Sequence, residues 1–398
     1  MEKRNVPKLR FKGFEDEWKE YKLGDLGEFK NGINKSKEDF GFGVPFINLM
    51  NVFGKNVLLN DSYGLVNATS KEIKENNLLN GDVLFIRSSV KREGVGETVL
   101  IGEDLLNTVY SGFLIRFREY NKVIFNDYKK YCFSTKKFRN NLIAKSSTSA
   151  NTNINQESLK VLKLSLSSIE EQTKIADFLS NVDNIIEEQE GKVKDLEQYK
   201  KGMMQKIFEQ EVRFKDENGG EYPEWEEKKL GECIVCLDNM RKPLNSTERQ
   251  EMKGNIPYYG ANGIVDYIND FIFDERLILL AEDGGNFDEF ATRPIAQIIT
   301  GKSWINNHAH VLKAKDNYID YIFYTLVHKD IREYINGTSR AKLNKSDMLD
   351  IKIDIPCIEE QTKIANFLSN IDNIIEEEKK KLEDLKLWKK GLLQQMCV

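Results

Sequence analysis

Arg87-Ser88-Ser89-Val90-Lys91-Arg92 places three cations and two hydroxyls in six residues, directly after an apolar run and before Gly94. Guanidinium and ammonium groups bind phosphate and can fork onto guanine O6 and N7, so Arg87, Ser88, Lys91 and Arg92 are candidate DNA contacts. A solvated hairpin turn has the same composition. Lys145, followed by Ser146-Ser147-Thr148, Asn151 and Asn153, makes a second polar stretch, and Asn336-Gly337-Thr338-Ser339-Arg340-Ala341-Lys342 is its counterpart in the second half. Their common position assigns Lys145, Asn151, Arg340 and Lys342 a common role. Tyr258-Tyr259-Gly260-Ala261-Asn262-Gly263 offers two aromatics and an amide to a groove or sugar edge. Tyrosines packed in a core fit that pattern equally well. Lys302, Asn306 and Asn307 precede His308 and His310; the amides suit bidentate pairing with adenine, and the histidines fit a strand in the core.

Catalytic chemistry finds no complete constellation. Adenine methylation requires a glycine-rich cofactor loop and an Asp/Asn-Pro-Pro-Tyr/Phe motif, and no Pro-Pro pair occurs. Gly301-Lys302-Ser303 resembles the end of a phosphate loop, but the first glycine of that motif would fall at Ala296. Gly94-Val95-Gly96 has Val99 where a dinucleotide loop needs its last glycine. Cys233-Ile234-Val235-Cys236 is a single CxxC, and strand packing accounts for it without zinc. The sequence therefore predicts no catalytic residue, no metal and no cofactor on this chain.

The elements that must position these residues are visible as an internal repeat. Residues 169–208 and 358–397 align without gaps, and both open on Ile-Glu-Glu-Gln-Thr-Lys-Ile-Ala. Upstream, Arg10-Phe11-Lys12, Glu17-Trp18 and Leu23-Gly24-Asp25 reappear as Arg213-Phe214-Lys215, Glu224-Trp225 and Leu230-Gly231-Glu232. Between these matching ends the two halves diverge.

In the first repeated segment apolar residues fall at Ile175, Leu179, Val182, Ile186, Val193, Leu196, Met203 and Ile207, in steps of three and four. The second has Ile364, Leu368, Ile371, Ile375, Leu382, Leu385, Leu392 and Met396. This is a coiled-coil seam, interrupted in both copies at Gln189/Glu378 and Lys200/Lys389, and the charged remaining faces predict two helices packed on each other. Ser168 with Glu171 predicts a capping box, and Pro356 precedes the second helix. Alternating strands, Leu162–Leu166 and Ile351–Ile355, lead into the helices. The divergent middles are rich in Gly, Asn, aromatic and β-branched residues, for example Gly81–Ile86 and Arg276–Leu280, with shorter helical stretches such as Tyr318–Tyr334, so each reads as an α+β domain.

With 398 residues, two domains are expected. The 59 basic and 64 acidic residues give a net charge of −5, so DNA contact would rest on local patches rather than on the overall field. Five irregularly spaced cysteines do not form a disulfide framework, and no apolar run approaches the roughly 18 residues of a membrane span, so a cytoplasmic protein with reduced thiols is expected.

The opening PKLRFKGFEDEWKEYKLGDL, the junction RFKDENGGEYPEWEEKKLGE and the paired IEEQTKIA helices resemble the specificity subunit of type I restriction-modification systems along the whole chain. The resemblance implies two target-recognition domains, 1–168 and 211–357, each reading half of a split double-stranded DNA site. It also implies antiparallel spacer helices, 169–210 and 358–398, in a pseudo-two-fold α+β tandem repeat. Two methyltransferase subunits would dock beside the helices and two ATP-driven restriction subunits would join through them, with S-adenosylmethionine, ATP and Mg on those partners. Recognition domains vary freely within the family, so the base-contact residues above stand on their own chemistry.

Overall fold

The structure, a computed structural model, describes residues 5–148, 151–337 and 341–398. It divides into two compact units: Met1–Glu190 with Lys381–Val398, and Gly191–Lys380. The divisions fall inside the two long helices rather than at their ends. Each unit is built from one divergent middle, the start of one long helix and the end of the other.

In the first unit a five-stranded sheet runs in the order Gly27–Asn31, Leu114–Glu119, Val83–Ile86, Thr98–Ile101, Val57–Leu58. Val83–Ile86 is central and buried on both faces, which is why its four residues are all apolar. Alternation sends Val83 and Phe85 into a core with Phe117 and Phe133, and Leu84 and Ile86 into another with Val99 and Ile101. The second unit repeats the order with Ile234–Cys236, Ala309–Ala314, Leu277–Ala281 and Ala296–Ile299. A smaller sheet accompanies each. Phe40–Ile47 lies between Gly64–Val66 and a parallel Val109–Tyr110. Lys253–Gly260 lies between Gly263–Ile268 and a parallel Lys302–Ile305. The two middles, unlike in sequence, share this strand order and differ in one edge strand each, Val57–Leu58 in the first and Phe273–Asp274 in the second.

The repeated ends form a common frame. Lys19–Lys22 pairs antiparallel with Lys163–Leu166, and Glu226–Lys229 with Lys352–Ile355. Arg10 donates from Nε and a terminal nitrogen to Glu171 at 2.7 and 2.8 Å, and Arg213 to Glu360 at 3.3 and 2.9 Å. Both carboxylates are buried, so the Arg-Phe-Lys and Glu-Glu-Gln motifs are the two halves of one ion pair. Gln172 accepts from the Phe125 N–H and donates to the Val123 and Ser167 carbonyls. Gln361 likewise accepts from the Tyr318 N–H and donates to Asn317 and Pro356. The expected capping box is half formed: Ser168 Oγ accepts from the Glu171 N–H, while the Glu171 carboxylate turns to Arg10.

The long helices span Ile169–Phe208 and Ile358–Met396. Within the first unit Asp183 pairs with Lys389 and Glu190 with Lys386; within the second, Lys200 pairs with Asp372 and Lys192 with Glu378. The partner number falls as the first rises, so the helices pack antiparallel. Seam residues Ile175, Leu179, Val182 and Ile186 meet Leu392 and Met396, and Ile364 and Leu368 meet Met204 and Ile207. Ile371 and Ile375 are buried in the same lane, and Leu196 and Leu385 are half-buried. The helices pack on each other, as the seam implies, and on the sheet domains as well. The first turns also bury Ala176 and Ala365 and join the sheet domain's core, so the apolar stripe there is wider than a coiled-coil seam. The seam interruptions are polar layers. Asp183 accepts from the Tyr131 hydroxyl at 2.8 Å beside Lys389, and Asp372 from the Tyr324 hydroxyl at 2.6 Å beside Lys200. The predicted helical stretch at 318–334 is shorter, Ile319–Leu326.

Candidate nucleic-acid interface

The strand Val83–Ile86 runs on into Arg87 and the short strand Ser88–Ser89, which pairs with Thr152–Asn153; that strand in turn pairs with Ser147–Thr148. The two polar stretches of the first half, some sixty residues apart, are therefore neighbours. The Arg87 N–H donates to the Phe113 carbonyl at 2.8 Å, its guanidinium to the Gly112 carbonyl at 3.2 Å, and the Ile154 N–H to the Arg87 carbonyl. Lys91 and Arg92 stand exposed in the turn that follows, which Arg139 braces by donating to the Glu93 and Val95 carbonyls. Ser88, Val90, Lys91, Phe113 and Asn151 line a cavity of about 500 Å³. Lys145 is exposed at the last turn of Lys136–Lys145, which delivers the chain to Ser147. Phe113, 56% exposed, completes this rim and carries no sequence signal of a contact residue.

The second unit repeats the construction with other side chains. Leu277–Ala281 runs into Glu282 and Asp283; the Glu282 N–H donates to the His308 carbonyl, the Leu343 N–H to the Glu282 carbonyl, and Asp283 bridges to Lys342. By this hydrogen-bond pattern Glu282 occupies the place of Arg87, Asp283 that of Ser88, Lys342 that of Asn153 and His308 that of Phe113. The turns match in detail: Ser111 Oγ accepts from the Phe113 N–H at 3.2 Å, and Asn306 Oδ1 from the His308 N–H at 2.8 Å. Exposed Asn262 donates to the Gly284 carbonyl at 2.7 Å, and exposed Lys342 pairs with Glu282 at 3.0 Å. Asn262, Asn307, His308 and Lys342 are thus gathered around the segment Glu282–Asn286, which the sequence reading passed over.

Three candidates leave this set. Tyr258 is 2% exposed, its hydroxyl accepts from the Leu244 N–H at 2.9 Å and Arg249 lies over its ring, so the core placement holds for it. Asn306 is buried and its amide oxygen is spent on the turn. Lys302, exposed over the Phe271 ring, stands four residues and about 13 Å along its strand from Asn306, away from the rim. Tyr259 is half-buried, with burial raising its phenol pKa. Arg340 lies outside the described residues.

His310 is buried beneath the rim, bonded to Asp238 at 2.6 Å and to the Leu343 carbonyl at 2.9 Å. Burial raises the Asp238 pKa, yet the bond to and charge of His310, with the Val311 N–H and Arg241, hold it below the usual carboxylate value. Asp238, Glu282 and His310 bring donor atoms within 4.8 Å of one another. Arg241 at 2.6 Å and Lys342 already engage Glu282, so the cluster fits a charge-balanced network better than a cation site. Cys233 is buried at the end of the helical turn Leu230–Cys233 rather than on a strand, and Cys236, on the strand Ile234–Cys236, is half-buried.

A second surface lies on the helices. Ile185 and Ile374 are 46% and 45% exposed, and Tyr199 and Trp388 are 51% and 46% exposed. These are equivalent positions of the repeat, so each unit presents one exposed isoleucine and one exposed large aromatic. No helix among the described residues is long and apolar enough to cross a membrane.

The sequence profile of the type I restriction modification DNA specificity domain matches residues 15–198 and 222–387. A putative type I restriction enzyme MjaX specificity subunit of Methanocaldococcus jannaschii is 26% identical over 406 residues, covering 98% of this chain and 95% of that one. A putative type I restriction enzyme specificity subunit of Haemophilus influenzae, S.HindORF215P, is 34% identical over 160 residues, 40% of each chain. Among solved structures, the type I restriction-modification S subunit from M. genitalium is similar in fold, with a TM-score of 0.58 over 99% of both chains at 17% identity.

Proposed function

The chain belongs to the type I restriction-modification DNA specificity family, and from that premise we propose that the rim of each unit reads one half of a split double-stranded DNA site. The named relatives are specificity subunits, the non-catalytic components of restriction-modification systems. The observation that carries the proposal is the equivalence of the two rims: one hydrogen-bonded chassis holds Arg87, Ser88, Phe113 and Asn153 in the first unit and Glu282, Asp283, His308 and Lys342 in the second. A scaffold without a reading role has no reason to keep the frame and change the rim. Lys91, Arg92 and Lys145 supply phosphate contact in the first unit, and Asn151, Asn262 and Asn307 supply amides to base edges.

The long helices set the unread gap between half-sites, and the repeated surfaces at Ile185/Trp388 and Ile374/Tyr199 each dock one methyltransferase subunit. S-adenosylmethionine belongs to those subunits; ATP and Mg belong to two restriction subunits that join through them. The complex then methylates adenine in the host's own sites or cuts unmodified DNA. Exchanging residues 25–155 for the corresponding segment of a relative tests the modular reading by methylome sequencing of cells that also express the methyltransferase subunit. One half of the methylated motif is expected to change and the other to persist; simultaneous change of both halves would overturn it.

A further inference from the structure

The turn before the strands Leu114–Glu119 and Ala309–Ala314 is the same device in both units, and it ends on a ring that reaches solvent in each: Phe113 is exposed, and His308 is half-buried with its side chain 40% exposed. In both, a side-chain oxygen two residues earlier accepts from the ring residue's own N–H, and the ring residue's carbonyl accepts from the residue that continues the central strand. A Cβ at Gly112 would stand 2.1 Å from Oδ1 of the exposed Asn34, so any side chain there requires Asn34 to move. A large exposed ring on a braced turn is costly to place and contributes nothing to either core.

We propose that Phe113 and His308 are base-reading residues, Phe113 for a thymine methyl in the first half-site and His308 for an exocyclic amine, adenine N6 or cytosine N4, in the second. The assignment rests on the proposed reading of half-sites by the two rims. Phe113 lies in one cavity with Lys91 and Asn151, so a backbone phosphate and a base edge can be held beside an apolar ring. Apolar contact with the C5 methyl is the major-groove feature such a ring recognises. His308 Nδ1 is bonded to the Asp283 carboxylate. A carboxylate only accepts, so Nδ1 carries the proton, and in the neutral tautomer that this selects Nε2 is the acceptor. Adenine N6 and cytosine N4 are the amine donors that the major groove presents to an acceptor.

The test uses the full chain with its methyltransferase subunit, read by methylome sequencing. His308→Leu is expected to relax one position of the second half-site by about tenfold or more, the order of a single mismatch, with the first half-site unchanged. His308→Arg replaces the acceptor by donors and is expected to move that position from adenine or cytosine to guanine. Phe113→Ala is expected to relax one thymine position of the first half-site alone. Unchanged motifs in His308→Leu and Phe113→Ala would overturn the proposal. So would a variant complex that assembles but binds every singly substituted duplex with equal loss, since a merely structural residue has that effect. Exchange of residues 226–355 separates the two levels. If the exchange leaves the second half-site unchanged, the reading by rims fails; if it changes that half-site and His308→Leu does not, only the role of His308 fails.

Discussion

Lengthening the two long helices together, by four residues after Glu190 and four after Lys380, tests whether they set the gap between half-sites. These points are where the chain divides between its compact units, so neither sheet domain nor its ion pairs within a unit is touched. Four residues add about 6 Å at 1.5 Å per residue, and base pairs stack at about 3.4 Å, so the unread spacer should grow by one or two base pairs. Four residues also turn a helix by about 400°, leaving the facing of the apolar seam within about 40° of its original direction. Two residues turn it by about 200°, which would point Val193 or Leu382 away from the partner helix. The two-residue variant should therefore fail to assemble. Methylome sequencing reads the outcome as a motif with both half-sites intact and a longer gap. An unchanged gap in an assembled complex carrying the four-residue insertions would refute the helices as the ruler.

Two further outcomes follow from the frame and from the helix surface. Arg213→Met leaves Glu360 a fully buried carboxylate with, among the described residues, Trp225 Nε1 at 3.0 Å to hold it, a loss of about 3–5 kcal/mol, and the second unit's thermal transition should fall by about 6–20 °C. Calorimetry checks this, and adding Glu360→Leu should recover most of the loss; a shift within error for Arg213→Met would contradict the buried pair. Ile185→Glu with Trp388→Glu should remove one methyltransferase subunit, and Ile374→Glu with Tyr199→Glu the other. Native mass spectrometry should show the assembly losing one copy with either pair and both with all four, whereas full retention with all four would place docking elsewhere.

Chain order alone determined the frame. An ungapped repeat of helix-period apolar residues can satisfy itself only by packing a seam, and the segments Leu162–Leu166 and Ile351–Ile355 read as strands because period-two apolar residues bury one face. The rim was legible only as a set of polar segments. Tyr258 and Tyr259 are adjacent on one strand, and which of them is buried depends on which face of the sheet the core covers; Asn306 and Asn307 are adjacent in a turn, where Asn306 folds inward to accept from the His308 N–H. His308 and His310 share the same strand parity, yet His310 is buried and His308 only half-buried, because the strand begins only at Ala309 and His308 still belongs to the turn. Phe113 and His308 share no local sequence, and their equivalence exists in hydrogen bonds between segments about 25 residues apart, Arg87 to Phe113 and Glu282 to His308. Local pattern carries periodicity and therefore fixes elements and seams; the identity of a contact surface is decided by which distant strands pair, and only the tertiary structure holds that information.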